Sequence, residues 1–302
     1  MTTSSQEIAL RKPGLGLWMT MALVVGNMIG SGIFLLPAAL AGFGAIAIGG
    51  WVLTSAGALV LALVFGRLAR IVTSTGGPYA YAREGFGEFA GFLIAWGYWI
   101  ALWAGNAGVA LALAGYVGHF VPIVGESQTY TLAVALLAIW VLTFVNVRGV
   151  EEASIVQMVT TVLKLLPLLA IAFIGLFWLD AGTFTPVNKS DQGTVGALAA
   201  TAALTLWAFL GLESATVPSG EVRNPTRTIP LATVIGVLIA STVYIMVTMV
   251  AIGVMPTADL AASSAPLADV ASLMWGSWAG SAIALGAIIA TIGTLNGFTL
   301  LC

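Results

Sequence analysis

Gly26-Asn27-Met28-Ile29-Gly30-Ser31-Gly32-Ile33-Phe34 sits in the middle of an apolar run from about Leu17 to Ala41. The run is long enough to cross a bilayer, which takes about 20 residues. Its centre nevertheless holds three glycines, an asparagine and a serine. Gly30-Ser31-Gly32 is where the helix is expected to unwind, because a glycine costs about 1 kcal/mol against alanine in a helix interior. Backbone groups freed at membrane depth are tolerated only where they line a cavity or are buried in protein. Two half-helices would then face each other across the break. The N–H groups of Ser31 and Gly32 would offer partial positive charge to an anion. Carbonyls near Met28 would accept hydrogen bonds from a cation, so one break would hold both ends of a zwitterion. The alternative is a small-residue face that lets two helices approach closely, and the stretch alone does not separate the two.

The rest of the chain puts that run in a membrane. Of 302 residues, 60% are hydrophobic and 7% charged, with a mean hydropathy of +1.05. Repeated apolar segments of this kind make a polytopic membrane protein. One cysteine, Cys302, and one histidine, His119, exclude a disulfide framework and a Cys/His metal cluster, and no cofactor motif is present. No basic patch suits nucleic acid. The first apolar run is too long for a signal-peptide core and reads as a retained first helix.

Eight spans are expected, at roughly 15–42, 46–71, 88–120, 129–147, 155–178, 195–219, 231–254 and 277–302. With the N-terminus inside, the inner segments carry Arg11, Lys12, Arg67, Arg70, Arg83, Arg148, Arg223 and Arg227, while the outer loops carry Lys189 alone. That bias places the N-terminus in the cytoplasm of a cell whose inner membrane the chain crosses repeatedly.

A second interruption lies in the sixth span, at Leu206-Trp207-Ala208-Phe209-Leu210-Gly211-Leu212-Glu213-Ser214. Five spans separate it from the first, so the two broken spans run in opposite directions. Interrupted spans at matching positions of oppositely oriented halves point to an inverted-repeat transporter with its site at the midplane. Only Glu213 and Lys164 place charge well inside spans, at about 2.5–3.5 kcal/mol for a lysine or aspartate on the insertion scale, and such residues are functional hypotheses by default. Glu213 is either a proton-handling group or a charge near the inner membrane edge paired with a loop arginine. Lys164 either occupies a cation site and takes part in coupling, or is a permanent strut on span-one carbonyls. Asn106, among the small residues Ala104-Gly105-Asn106-Ala107-Gly108, either reaches substrate or joins helices. Trp207 either stacks on a substrate side chain or fills the core, and His119 reads as an interfacial histidine.

Three motifs in order resemble one superfamily. Gly26-Asn27-Met28-Ile29-Gly30-Ser31-Gly32-Ile33-Phe34-Leu35-Leu36-Pro37 is similar to the first-span signature of the amino acid–polyamine–organocation (APC) superfamily. Gly76-Gly77-Pro78-Tyr79-Ala80-Tyr81-Ala82-Arg83 and Glu221-Val222-Arg223-Asn224-Pro225-Thr226-Arg227-Thr228-Ile229-Pro230 are similar to its loop motifs after spans two and six. The likeness runs over the whole chain and is closest to the bacterial arginine/agmatine antiporter branch. It implies an all-α polytopic fold, an inverted repeat of the LeuT/APC type with alternating access around a substrate held between spans 1, 3, 6 and 8. On that basis residues 1–14 form a cytoplasmic tail, 15–180 a complete first five-helix repeat, and 195–302 a partial second repeat. Carried over by motif, the substrate carboxylate meets Ser31 and Gly32, and its ammonium meets carbonyls of Met28, Trp207 and Leu210. Trp207 stacks on the side chain, Asn106 bonds its polar end, and Glu213 with Tyr98 belongs to the inner gate and its pH response.

Two positions depart from the arginine-type pattern. Asn296-Gly297-Phe298 stands where that branch has Asn-Gly-Trp. Tryptophan is the better cation–π partner, so Phe298 weakens the expectation of a strongly cationic substrate. Lys164 resembles the fifth-span lysine of proton-coupled, sodium-independent amino acid carriers. The expected function is thus secondary transport of amino acids, with basic amino acid/polyamine exchange set against proton-coupled symport of neutral amino acids. The chain stops at Cys302 at the end of an apolar run, so the second repeat is expected to lack its last two spans, and a non-functional fragment of such a carrier is the third reading. The partners expected are a small amino acid or amine, protons and the lipid bilayer. The relatives often form homodimers, although no interface is legible here. An enzyme would need a nucleophile–base pair or metal set that the residues do not supply, and a channel would need a continuous polar pore. A sensor on the same frame would bind specifically without flux.

Overall fold

The computed structural model describes residues 15–72, 74–148 and 150–301, the side chains of Ser31, Arg148, residues 150–158 and residues 300–301 excepted. The tail at 1–14, with Arg11 and Lys12, and Cys302 lie outside the described residues. The first span is two helices, α1 (Leu17–Met28) and α2 (Ser31–Ala41). The second is α3 (Ile46–Ile71), followed by a short amphipathic α4 (Pro78–Phe86) and the long α5 (Glu88–Gly118). A single turn, α6 (Pro122–Glu126), leads to α7 (Gln128–Arg148). The fifth span begins as α8 (Val150–Leu169) and, after Pro167, loosens into a π-helical turn at Ala170–Ile174 and a 3-10 turn at Gly175–Trp178. The second half of the chain is α9 (Thr194–Leu206), α10 (Pro225–Val254), α11 (Thr257–Ala262), α12 (Pro266–Trp275) and α13 (Ser277–Leu301).

Among the described residues, seven helical segments are long and apolar enough to cross a membrane. The remaining expected span is the interrupted sixth, whose helical part Thr194–Phe209 is shorter than a full crossing. Beyond Phe209 it continues as successive tight turns, with Leu212 N–H donating to Phe209, Ser214 to Gly211 and Thr216 to Glu213. The protein is a multi-pass, all-α membrane protein. Among the described residues there is no strand, only an isolated parallel bridge between Leu15 and Val222. The outer face of the bundle is apolar as a bilayer demands, with residues such as Leu63, Leu137, Trp140 and Leu166 exposed.

Small residues set the helix spacing. A Cβ at Gly50 of α3 would meet the Thr201 side chain of α9 at 2.4 Å, and one at Gly236 of α10 would meet Val24 of α1 at 2.8 Å. One at Gly293 of α13 would meet Thr160 of α8 at 2.3 Å. In a bilayer this close backbone approach, rather than water exclusion, is what holds helices together. The main core gathers α1, α2, α3, α10 and α12, and a second cluster joins α5, α7 and α13. The start of the first loop motif docks on the turns just before the second, as Gly76 N–H donates to the Val217 carbonyl and the Ser219 hydroxyl to that of Ser74. Leu15 is stitched to the same loop through Glu221 and Arg223.

The loops hold more structure than the sequence reading assigned. Residues 255–276 fold into α11 and α12, and α12 buries Leu267, Ala268, Val270, Ala271 and Met274. Proline at the first helical position of α12, followed by four apolar residues at helical spacing, is the signal that was available. The seventh span also starts earlier than expected, at Pro225, for the same reason.

Candidate functional site

The two interruptions lie against each other. In the first span α1 ends at Met28 and α2 begins at Ser31, so the break falls at Ile29–Gly30. That is a residue or two before the expected Gly30-Ser31-Gly32: Ser31 and Gly32 are already helical. The physical reason is on Gly30, where a Cβ would sit 2.7 Å from Thr294 of α13, a crossing too tight for any other residue. In the sixth span the break comes at Leu210–Gly211. Gly211 has φ of 102°, and a Cβ there would lie 2.9 Å from the backbone carbon of Asn27. Only glycine meets both demands, so the two breaks touch backbone to backbone.

Between them is a cavity of about 20 Å³, lined by Asn27, Met28, Gly32, Trp207, Leu210 and Phe298 among others. This volume is room for about one water molecule. The Trp207 indole lies between Gly32 and Gly108, whose Cβ positions would be 3.7 and 3.8 Å from it. The Phe298 ring approaches the Gly105 Cβ position at 3.3 Å. Anything much larger than a water molecule therefore fits only if these rings, or the helices carrying them, move.

The residues expected to meet a substrate divide into two groups. Met28, Gly32, Trp207, Leu210 and Phe298 line this cavity; Ser31 opens α2 beside it, with its side chain outside the description. Asn106 does not line it. Its amide donates to Thr299 at 3.5 Å, and its buried Oδ1 has no partner among the described residues. Of the three expected carbonyls, that of Met28 already accepts from Gly30 N–H and from the Tyr244 hydroxyl at 2.6 Å, and that of Trp207 accepts from Leu210 N–H. The Leu210 carbonyl has no hydrogen bond among the described residues.

Tyr244 was missed by the sequence reading. Buried on α10, it reaches both breaks: its hydroxyl lies 2.6 Å from the Met28 carbonyl and 2.9 Å from that of Ala208. One hydroxyl hydrogen serves one carbonyl at a time. Trp51 and Phe209 hold its ring, at centroid distances of 4.9 and 5.6 Å, and Trp51 is fixed in turn by donating to Thr248. No sequence pattern marks a tyrosine in an apolar helix as special, since its role depends on which breaks it faces.

Lys164 and Glu213 are the only fully charged residue types in the buried set among the described residues. Lys164 Nζ donates to the Gly26 carbonyl, in the last turn of α1. Glu213 accepts the Tyr98 hydroxyl at 2.9 Å on one oxygen and the Gly211 N–H at 3.2 Å on the other. Asn27 links the breaks further by donating to Ser214 at 2.8 Å.

Two broken helices thus face each other inside an apolar bundle, with a buried ionisable side chain tied to each. Residues 15–301 match the family model described as "Amino acid permease". The chain belongs to the amino acid permease family. Similar proteins include the cadaverine/lysine antiporter of Escherichia coli strain K12, 39% identical over 95% of this chain and 64% of its own length. The putative arginine/ornithine antiporter of Bacillus subtilis strain 168 is 38% identical, over 95% of this chain and 67% of its own. The arginine/ornithine antiporter of Pseudomonas aeruginosa is 39% identical, over 93% of this chain and 60% of its own. This permease thus spans between three fifths and two thirds of the length of these relatives.

Proposed function

We propose that the chain is the core of a secondary carrier that exchanges basic amino acids or their decarboxylated amines across a bacterial inner membrane by alternating access. The observation that carries this is the cavity between two touching helix breaks, roofed by Trp207 and Phe298. Its chemistry suits both ends of an amino acid. The N-terminus of α2, at Ser31 and Gly32, offers N–H groups without helical acceptors to a carboxylate. The Leu210 carbonyl offers an acceptor to an ammonium, and the Met28 carbonyl offers one when the Tyr244 hydroxyl turns to Ala208. Trp207 supplies an aromatic face for an aliphatic or cationic side chain, and Asn106 has a buried acceptor to spare for its polar end once the helices move. The identity to lysine, cadaverine, arginine and ornithine antiporters favours a basic substrate. The N-terminus is read as cytoplasmic, and the chain as one five-helix repeat at 15–180 followed by part of a second at 195–302.

The narrow cavity and the two buried ionisable groups give the proposed cycle its parts. Opening on either side separates the breaks, which Tyr244, Asn27 and Gly211 now hold together. Glu213 with Tyr98 sits at the loop end of the second break and is assigned the proton-responsive inner gate. Lys164 on the Gly26 carbonyl favours a second reading, proton-coupled symport of a neutral amino acid.

Proteoliposomes holding the purified chain separate the readings. Exchange predicts that labelled lysine, arginine or cadaverine enters only liposomes preloaded with one of them. Symport predicts that alanine enters empty liposomes when an inward proton gradient is imposed. A chain whose melting temperature rises with lysine but which moves none would be a binding fragment or sensor, and the carrier reading of these residues would be withdrawn. Within the exchange reading, Trp207→Ala is expected to raise the KM for lysine about tenfold, equivalent to about 1.4 kcal/mol. An unchanged KM would remove Trp207 from the substrate.

A further inference from the structure

A second cleft lies away from the helix breaks. It is a cleft of about 410 Å³ between the end of α3 and the start of α10, lined by Leu63, Gly66, Arg67, Arg70, Pro230 and Val234 among others. Its shape follows from one contact. A Cβ at Gly66 would meet Pro230 at 3.0 Å, so the two helices touch there, beside the cleft. Its chemistry follows from the same proline. Pro230 has no N–H, which leaves the carbonyl of Thr226, four residues earlier, without its helical donor. Arg70 Nε takes that place at 3.2 Å. The guanidinium is thereby fixed by one nitrogen, while its two terminal nitrogens have no partner among the described residues. Arg67, one turn earlier on the same helix, hydrogen-bonds no described residue, and no described carboxylate pairs with either arginine.

Two arginines without carboxylates therefore border a cleft whose other walls are aliphatic. Arg67 lies four residues before the end of α3 at Ile71, about 6 Å of helix rise, so its side chain can reach a headgroup at that end of an apolar, membrane-length helix. Leu63, one turn earlier on α3, is 62% exposed and gives the cleft an aliphatic wall. The cleft lies at the arginine-rich end of the bundle, with Arg83 and the Arg223/Arg227 pair. A ligand that fits must be anionic at one end and apolar along the other, and it must come from the bilayer.

We propose that this cleft binds one anionic phospholipid, its phosphate held by Arg67 and Arg70 and an acyl chain lying over Leu63 and Val234. Arginine's planar fork suits a phosphodiester, and basic clefts between helices at a membrane surface are suited to anionic headgroups. Such a lipid would also bridge α3 to α10, the helix that carries Tyr244 to both breaks.

Native mass spectrometry of the purified chain, released from bilayers of mixed phosphatidylglycerol and phosphatidylcholine, tests this. One phosphatidylglycerol should remain bound where phosphatidylcholine is stripped. Arg67→Gln/Arg70→Gln should lower that occupancy at least tenfold, and the double lysine variant should keep most of it. If the double glutamine variant fails to fold, Arg67→Gln alone is read, because Arg67 holds no described partner and its loss leaves the packing intact. The proposal is overturned if phosphatidylcholine is retained equally well, if the glutamine variants keep phosphatidylglycerol, or if Arg83→Gln, at the same end but outside the cleft, loses it to the same degree. Retention of no lipid by any form, as when a second copy of the chain closes the cleft, overturns it too.

Discussion

The two helix breaks are held by opposite chemistry. At the first, α1 ends with carbonyls that have no helical donor, and a donor meets them: Lys164 on Gly26 and Tyr244 on Met28. At the second, Gly211 itself exposes an N–H, and an acceptor meets it: Glu213, which also takes the Tyr98 hydroxyl. Each break thus recruits the ionisable side chain whose sense fits its own orphaned groups. The first is also flanked by helix on both sides, whereas the second gives way to turns. A stiff break with a donor clamp and a pliable break with an acceptor clamp are not interchangeable, so hinge motion is expected at Leu210–Glu213 before Ile29–Gly30.

That contrast is most exposed to Lys164→Ala. The variant leaves the Gly26 carbonyl without a donor and opens a void where a fully buried chain had been. The expected cost is about 3 kcal/mol, read as a melting temperature lowered by several degrees together with loss of transport. A variant as stable and active as the parent would show that the first break needs no clamp. Tyr244→Phe removes the one hydroxyl that reaches both breaks while keeping the ring against Trp51 and Phe209. It should cost about 1–2 kcal/mol, with faster leak between states. If stability falls but exchange kinetics do not change, the tyrosine is a core residue alone.

Glu213→Gln tests the pliable side. The amide keeps the shape and one acceptor oxygen, so folding should lose only about 1 kcal/mol. Transport rates at pH 5 and pH 7, which differ in the parent if Glu213 gates, should converge to within about twofold, since the variant has no proton to exchange there. A pH profile identical to the parent's would move the proton response off the second break.

Much of this arrangement was legible from residues. Glycines in long apolar runs marked both breaks, and the rarity of charge in the spans singled out Lys164 and Glu213. What was not legible depends on how helices cross. The position of the first break is set by Gly30 against Thr294, some 260 residues away in sequence. The same distance hides Tyr244, whose importance lies in two carbonyls contributed by other spans. For Asn106 the residues alone left two roles open, substrate contact or helix joining, and its amide donates to Thr299 of α13.

The smallest effect concerns the space between the breaks. If the buried ionisable groups are spent on protein carbonyls and amides, then selectivity for substrate rests on the rings, and Phe298 is the ring that departs from the arginine-type pattern. Phe298→Trp should strengthen binding of cationic substrates by about 0.5–1 kcal/mol, a KM for arginine about two- to fivefold lower, with little change for alanine. The gain is limited by space, since Phe298 already presses on the Gly105 position at 3.3 Å, so the larger ring must displace α5 slightly. The pH profile should not move, because neither clamp touches this ring. An affinity gain accompanied by an altered pH profile would mean that the rings and the clamps act as one unit, and that the division between the two breaks drawn from their hydrogen bonds is not the division the protein uses.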